Sequence, residues 1–210
     1  MLKVGITGGI GSGKSTITSF FHDLGVPIYN SDDRAKWLLS NDVDLMDQIK
    51  ILFGQESYSN NKLNRGHIAN IVFQNHDLLK QLNAIVHPLV KIDFENWLLL
   101  QKKERLVIKE AAILIESGAY KELDILIVVF ANKEIRIKRV MNRDNVAKED
   151  VEKRMKTQLS DSERLKFAHY SIENNKDQSN LKKQVGELYK QLLSYPKNKW
   201  QTKIAAIIPI

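Results

Sequence analysis

The sequence predicts an α/β fold in which five parallel strands form a sheet flanked by helices. Two observations lead to this fold class. Short apolar runs, typical of buried strands, alternate with longer segments whose apolar residues recur at helical spacing. The first of these runs, Leu2 to Thr7, is followed directly by a glycine-rich stretch and then by an amphipathic segment. With 210 residues, 43% of them hydrophobic and 27% charged, the chain is long enough for one sizeable core.

The glycine-rich stretch, Gly8 to Thr16, has the spacing of a phosphate-binding loop (P-loop): a glycine, four residues, then Gly13-Lys14-Ser15. Because glycine lacks a Cβ atom, the backbone can take positive φ and bring N–H groups close to phosphate oxygens at a helix N-terminus. The loop therefore predicts a nucleoside triphosphate, with Lys14 at its β- and γ-phosphates and the Ser15 hydroxyl on Mg²⁺. The residues expected to hold the nucleotide here are Gly9, Ile10, Gly11, Ser12, Gly13, Lys14, Ser15 and Thr16.

The other elements follow in chain order. After the first strand, apolar runs predict strands at 26–29, 106–108, 125–130 and 169–172. Helical spacing predicts helices at 15–24, through 35–39, at 132–143, 146–159 and 160–168, and through 181–192. Gly25 is placed to end the first helix, and Ser160 with Glu163 predicts a capping box.

From Asn41 to about Glu104 the pattern stays helical, with no convincing strand. An α/β chain that suspends its strands in this way is expected to insert a helical substrate-binding module between its second and third strands. The segment between Asn142 and Ser162 is expected to form a second, smaller lobe on the same core. The tail, residues 196–210, fits no element and is assigned no function.

Composition limits the partners and the location. The formal charge is +7, but the basic residues are dispersed along helices without interleaved aromatic residues, so a nucleic-acid partner is not expected. No apolar run approaches the roughly 18 residues of a membrane helix, and the chain starts in a strand and not in a signal peptide. The absence of cysteine fits a reducing compartment. A cytoplasmic protein, either a monomer or a weak homo-oligomer, is expected.

Several candidate residues have two interpretations from the sequence alone. Asp32 follows the second strand, where it either caps the next helix or orients an attacking hydroxyl. Arg65 and His87 are either structural or ligand-binding residues. The basic residues around Arg139 either form a solvated helix face or neutralise a phosphate.

Other classes of P-loop protein fit less well. A regulatory GTPase needs an Asp-x-x-Gly element, which is absent from the chain, and an Asn-Lys-x-Asp element. Asn175-Lys176-Asp177 approaches the second element, but its aspartate comes one residue early. Large ATPase machines normally need a longer chain. A small-molecule kinase remains.

These residues together resemble the dephospho-coenzyme A kinase family from Leu2 to about Leu193. The resemblance rests on Thr7 to Thr16, Asp32 with Ala35, His87-Pro88-Leu89-Val90, Ile113-Leu114-Ile115-Glu116, Arg139, Arg143-Asp144, Gln158 and Asn174-Asn175. It implies an enzyme that transfers the ATP γ-phosphate to the ribose 3′-hydroxyl of dephospho-coenzyme A, the last step of coenzyme A biosynthesis. The alternatives are another nucleoside or nucleotide monophosphate kinase and a nucleotide-dependent switch protein.

The resemblance also implies a P-loop NTPase fold with three parts in a single kinase domain, 1–210. The core covers about 1–40, 105–141 and 163–195, the coenzyme A insert about 41–104, and a helical lid about 142–162. Asp32, Lys14 and Arg139 are then expected to be catalytic, and Arg139, Asn174 and Asn175 to contact ATP. Asp32, Arg65, His87 and Glu116 are expected on the substrate side.

Two departures from the family pattern stand out. Asn30-Ser31-Asp32 replaces the usual Asp-Ala-Asp, so that only the second carboxylate remains. Ala112 replaces a proline in the segment that ends at Glu116, which changes the local backbone more than the chemistry.

Overall fold

The computed structural model describes residues 1–60 and 62–196. They form two compact units: Met1–Asn30 together with the described residues from Gln101 onward, and Ser31–Leu100. The strands are β1 (Leu2–Thr7), β2 (Ile28–Asn30), β3 (Tyr58–Ser59), β4 (Lys62–Leu63), β5 (Leu106–Glu110), β6 (Ile125–Phe130) and β7 (Tyr170–Glu173). The helices are α1 (Lys14–Asp23), α2 (Ser31–Asn41), α3 (Val43–Phe53), α4 (Arg65–Gln74), α5 (His76–Leu100), α6 (Lys133–Asp144), α7 (Lys148–Lys156), α8 (Asp161–Leu165) and α9 (Gln178–Leu193).

The first unit is built on a five-stranded sheet in the order β2-β5-β1-β6-β7. Every neighbouring pair in it is parallel. This confirms the predicted fold class. Because all strands run the same way, their carboxyl ends meet at one edge, which is where open parallel sheets place their ligands.

Alternation along β6 shows why these residues form interior strands. Ile125, Ile127 and Val129 pack on one face of the sheet, in the cluster that also contains buried residues of α1 and α9. Leu126 and Val128 pack on the opposite face, with residues that include Leu114 and Ala168. A strand buried on both faces reads as a continuous apolar run, which is why 125–130 was predictable from sequence.

Helix termini follow the local sequence signals. The Gly25 N–H donates to the carbonyl of His22 at 2.8 Å and the Val26 N–H to that of Phe21 at 3.1 Å, with Gly25 at φ +83°. This left-handed glycine closure confirms the predicted end of α1. The capping box of Ser160 and Glu163 at the start of α8 is also confirmed.

The second unit contains helices α2 to α5 and a short hairpin. The prediction that no strand lies between 41 and 104 is wrong, because β3 and β4 pair antiparallel there. Each of these strands has only two residues, too few for an alternating pattern to be visible in the sequence. The Tyr58 hydroxyl donates to the Leu39 carbonyl at 2.7 Å, which ties the hairpin to α2.

A long-range ion pair stabilises the second unit. Arg34 of α2 makes a bidentate ion pair with Asp93 of α5, with Nε to Oδ2 at 2.8 Å and Nη2 to Oδ1 at 2.5 Å. Helix α5 is 25 residues long and continues through Pro88 in its interior. Within the described part of the chain, none of the helices combines the length and apolarity that crossing a membrane requires. Residues 197–210, most of the tail that was left without a function, lie outside the described residues.

Candidate active site

The glycine-rich loop connects β1 to α1, and its backbone turns twice through positive φ. Gly11 has φ +77° and Gly13, the N-cap of α1, has φ +95°. The N-terminus of α1 has no side-chain cap and no acidic residue in its first turn. No side-chain carboxylate neutralises the positive end of the α1 dipole in this first turn, which favours an anion there.

Lys14 and Ser15 occupy the first turn of α1, as the loop pattern requires. The Lys14 ammonium donates to the Gly8 carbonyl at 2.9 Å, so the side chain lies back along the loop. Ser15 is exposed. The arrangement offers a cation and a hydroxyl beside the helix N-terminus.

Asn174 and Arg139 lie against this loop, although they come from β7's carboxyl end and from α6. The Asn174 amide donates to the Ser12 carbonyl at 2.8 Å, and Arg139 Nη2 donates to Asn174 Oδ1 at 3.2 Å. The buried atoms Arg139 Nη1 and Ser12 Oγ have no hydrogen-bond partner within residues 1–60 and 62–196. Buried polar atoms are normally satisfied, so an unpaired guanidinium N–H beside a phosphate-binding loop fits an absent anionic ligand.

The approach of Asn174 also explains Gly13. A Cβ atom at position 13 would lie 2.0 Å from the Asn174 amide nitrogen and 3.8 Å from Arg139 Nη1. The position therefore requires glycine for space as well as for its positive φ.

The tip of the loop is held from outside at Ile10. Its N–H donates to Gln158 Oε1 at 2.9 Å, and its carbonyl accepts from Arg136 Nε at 2.9 Å. Arg136 is buried and also donates to Asp161 Oδ2 at 2.8 Å.

Asn175 and Glu116, the other predicted residues of this unit, contact protein groups. Asn175 Oδ1 accepts from the Asn132 N–H at 2.8 Å, and its amide nitrogen donates to Glu173 Oε1 at 2.6 Å. Glu116 Oε1 accepts from Nη2 of the fully buried Arg164 at 2.8 Å. Both side chains thus join structural elements, and their ligand roles stay predictions.

At the carboxyl edge of the sheet, Asn30 faces Glu110. The two residues are register partners on β2 and β5, and the Asn30 amide donates to Glu110 Oε2 at 2.9 Å. Glu110 is buried. An aspartate at position 30 would place two carboxylates opposite each other, so the amide removes a repulsion that the usual family residue would create here.

Asp32, Arg65 and His87 belong to the second unit. Asp32 is exposed in the first turn of α2, two residues along the chain from the end of β2. Arg65 is the exposed first residue of α4, directly after the capping Asn64, whose Oδ1 accepts from a backbone N–H at 3.1 Å. His87 lies partly buried inside α5.

Asp144 is the last residue of α6, the helix that carries Arg139, and its carboxyl group has a lowered pKa. Arg143 donates to it through Nε at 2.7 Å and Nη2 at 3.1 Å, and Arg154 of α7 adds a contact at 3.2 Å. These hydrogen bonds, with that from Arg143 the largest cause, lower the pKa of Asp144. Arg143 and Arg154 are thereby directed to a carboxylate that joins α6 to α7.

The sequence did not predict that Arg136, Gln158 and Asp161 hold the loop from outside, although Arg136 was among the basic residues around Arg139 and Gln158 was part of the family resemblance. A signal was present for Arg136, because it lies directly before the buried Ile137 and three residues before Arg139. Gln158 lies in the turn after α7 and Asp161 is the first residue of the short helix α8, and the sequence shows no periodicity that would reveal their contacts.

A parallel sheet whose first strand leads into this loop, with a guanidinium beside it, is the arrangement of a P-loop nucleotide-binding protein. The family model described as "Dephospho-CoA kinase" matches residues 2–180. A dephospho-CoA kinase of Chlorobaculum tepidum is 38% identical over 200 residues, 92% of this chain and 96% of the relative. One from Bacteroides fragilis is 37% identical over 174 residues, 83% of this chain and 85% of the relative.

Solved structures agree with the family match. A crystal structure of the Thermus thermophilus protein TT1252 has a TM-score of 0.81 and 31% identity, covering 91% of this chain and 97% of that one. A dephospho-CoA kinase from Campylobacter jejuni has a TM-score of 0.69 and 26% identity, with coverage of 91% and 97%. This chain belongs to the dephospho-CoA kinase family, which confirms the resemblance found in the sequence.

Proposed function

We propose that this protein transfers the γ-phosphate of ATP to the ribose 3′-hydroxyl of dephospho-coenzyme A, giving coenzyme A and ADP. The observation that carries the proposal is the family match over residues 2–180, which includes an intact phosphate-binding loop. The contacts around that loop support a role for it as the donor half of the reaction.

The donor half is proposed to work by charge and position. Loop N–H groups and Lys14 bind the β- and γ-phosphates, and Arg139 directs its unpaired Nη1 to the transferring phosphoryl group. Asn174 holds both the loop and Arg139 in place, and Asn175 is proposed to line the nucleotide side. Because the transition state of phosphoryl transfer is loose, such positioning and charge neutralisation supply most of the rate.

Magnesium is proposed as the metal. The exposed hydroxyl of Ser15, at the start of α1, is a hard oxygen donor, and Mg²⁺ usually takes one or two protein oxygens together with substrate phosphates and waters. When bound, the ion would neutralise charge on the β- and γ-phosphates. The donor set therefore fits this ion.

The acceptor half is proposed to depend on Asp32. It follows the carboxyl end of β2 by two residues and falls on the catalytic aspartate of the family pattern. Its carboxylate orients the 3′-hydroxyl and accepts the proton late in the transfer. Arg65, His87 and Glu116 are proposed to bind or shape the dephospho-coenzyme A side.

The setting of the reaction is proposed to be the cytoplasm, with the protein as a monomer or a weak homo-oligomer. The absence of cysteine from the 210-residue sequence fits a reducing compartment. Sedimentation at several protein concentrations would measure the oligomeric state.

The function is tested by identifying the product. Purified protein is incubated with magnesium-ATP and dephospho-coenzyme A, a nucleoside monophosphate, or no acceptor, and the products are identified by mass. We expect coenzyme A to form with the first acceptor and no comparable product with the others. Phosphorylation of a monophosphate alone would contradict the proposal.

The proposed roles are separated by two variants. Asp32→Asn is expected to lower kcat about 10²-fold or more while ATP affinity stays nearly unchanged, since the carboxylate acts on the acceptor. Lys14→Ala is expected to impair both. Asp33→Asn is the matched control, because Asp33 is an exposed neighbour whose carboxylate pairs with Lys36 at 2.7 Å. An Asp32→Asn enzyme with the wild-type kcat would refute the role of Asp32.

A further inference from the structure

The peptide of Ile10 is the point at which the phosphate-binding loop is held by distant residues. Both of its polar groups are used: the N–H by Gln158 and the carbonyl by Arg136, each at 2.9 Å. Within the loop, Ser12 N–H donates to the Gly9 carbonyl at 3.1 Å, so Ile10 and Gly11 form the middle of a tight turn. Fixing the Ile10 peptide thus fixes the turn.

The Ile10 side chain is held by the same region. It packs against the apolar cluster of Ile137, Val140 and Val151, which joins α6 to α7. Helix α7 and the turn that follows it, which ends at Gln158, belong to the segment 142–162 predicted as the lid. The tip of the loop is therefore in contact with this segment through an apolar side chain and through a hydrogen bond.

Arg136 is itself held rigidly. Its guanidinium is buried and forms an ion pair with Asp161 at 2.8 Å. Asp161 is the first residue of α8, whose start is fixed by the capping box at Ser160. The other carboxylate oxygen of Asp161 lies 3.6 Å from the fully buried Arg164.

Two of the loop glycines are explained by this close approach. A Cβ atom at Gly9 would lie 2.1 Å from Arg136 Nη2, and one at Gly11 would lie 2.5 Å from the Arg136 carbonyl oxygen. Glycine is needed at both positions to let α6 reach the loop. Because glycine loses more conformational freedom on ordering than any other residue, external contacts help to hold the loop in one conformation.

We propose that Gln158, in the segment predicted as the lid, and Arg136 of α6 are positioning residues that hold the Ile10 peptide and thereby set the affinity of the loop for ATP. The inference rests on the proposed function, since it names residues that prepare the donor half of that site. Neither side chain is assigned a contact with a substrate. Their effect on phosphate binding passes through the backbone of the loop.

The test uses the full-length protein with Gln158→Leu, which removes the acceptor but keeps a similar volume. Losing one hydrogen bond that organises the loop is expected to raise the Kd and KM for ATP about five- to tenfold. Both kcat and the KM for dephospho-coenzyme A are expected to stay within about twofold, since the chemical groups are unchanged. Gln191→Leu, an exposed glutamine of α9, is the matched control.

A second readout separates positioning from general destabilisation. Hydrogen exchange at the Ile10 amide is expected to accelerate in Gln158→Leu, but to stay slow in Gln158→Glu, which retains an oxygen acceptor of the same length. If Gln158→Leu does not fold, Gln158→Asn takes its place, because its side chain is one methylene too short to reach Ile10. ATP binding is measured by calorimetry without an acceptor, so the result does not depend on whether dephospho-coenzyme A is the substrate.

The outcomes are distinct. A raised Kd for ATP together with faster Ile10 exchange supports the proposal. An ATP affinity and an Ile10 exchange rate equal to those of the Gln191→Leu control would overturn it. A wild-type protein that binds ATP but phosphorylates no dephospho-coenzyme A would refute the proposed function while leaving the positioning role to be decided by the binding data.

Discussion

Gly13→Ala is expected to damage the phosphate-binding loop for two separable reasons. Gly13 has φ +95°, and a left-handed conformation costs an alanine about 1–2 kcal/mol. The new Cβ atom would also lie 2.0 Å from the Asn174 amide nitrogen, so Asn174 has to move. Its 2.8 Å hydrogen bond to the Ser12 carbonyl is then broken. Leaving that buried group unsatisfied costs about another 1–3 kcal/mol.

The total loss of unfolding free energy for Gly13→Ala is therefore expected to be about 2–5 kcal/mol. The matched control is Gly25→Ala. Gly25 has φ +83°, but a Cβ atom there would meet nothing within 4 Å. This control isolates the backbone cost, about 1–2 kcal/mol. Urea unfolding followed by circular dichroism measures both variants.

A double-mutant cycle with Asn174→Ala tests the assigned cause. In the Asn174→Ala background there is no amide left to displace. Adding Gly13→Ala should then lower the free energy of unfolding only by the amount seen for Gly25→Ala, which comes from the left-handed backbone conformation. The coupling between the two substitutions is then expected to be at least about 1 kcal/mol, as for residues in contact. Strictly additive effects would refute the reasoning, because they would mean that the alanine methyl group does not disturb Asn174.

Two further predictions concern His169 and Arg139. Burial lowers the pKa of His169, whose Nδ1 accepts the Leu126 N–H at 3.1 Å, so protonation of the unfolded chain destabilises the fold as the pH falls below about 6.5. His169→Asn keeps a hydrogen-bond acceptor that does not titrate. The free energy of unfolding, measured with urea between about pH 7 and 5, should therefore fall less steeply in this variant than in the wild type. An equally steep fall would contradict this prediction. Arg139→Lys should lower kcat about 10²-fold in the coupled kinase assay, because a compact ammonium lacks the planar fork that keeps one nitrogen on Asn174 while directing the other to a phosphoryl oxygen. Near wild-type activity would refute the role of Nη1.

Local signals accounted for much of the fold. The run 125–130 was recognisable as a strand because both of its faces are buried, and Gly25 as a helix end because left-handed closure favours glycine. The strands β3 and β4 were not predicted because two residues each are too few for an alternating pattern to be visible.

The residues of the candidate site also differ in how far the sequence predicted their positions. Lys14 and Ser15 were placed by spacing alone, since the loop and the helix that follows it are contiguous in the chain. Asn174 was expected only from the family resemblance, whereas for Arg139 the residues alone left a solvated helix face and a phosphate contact as alternatives. The contacts by which Arg136, Gln158 and Asp161 hold the loop were not predicted, because they join residues far apart in the sequence and leave no periodic pattern.

By itself, the sequence determined that this chain has a strand, a glycine-rich loop and a helix able to bind a triphosphate, because those interactions are local. Only the tertiary structure decided which side chains meet that loop. Asn174 reaches the Ser12 carbonyl across 162 residues of sequence. The physical reason is the strand order, which sets β6 beside β1 and β7 beside β6, so that the residues that follow their carboxyl ends lie against the same turn.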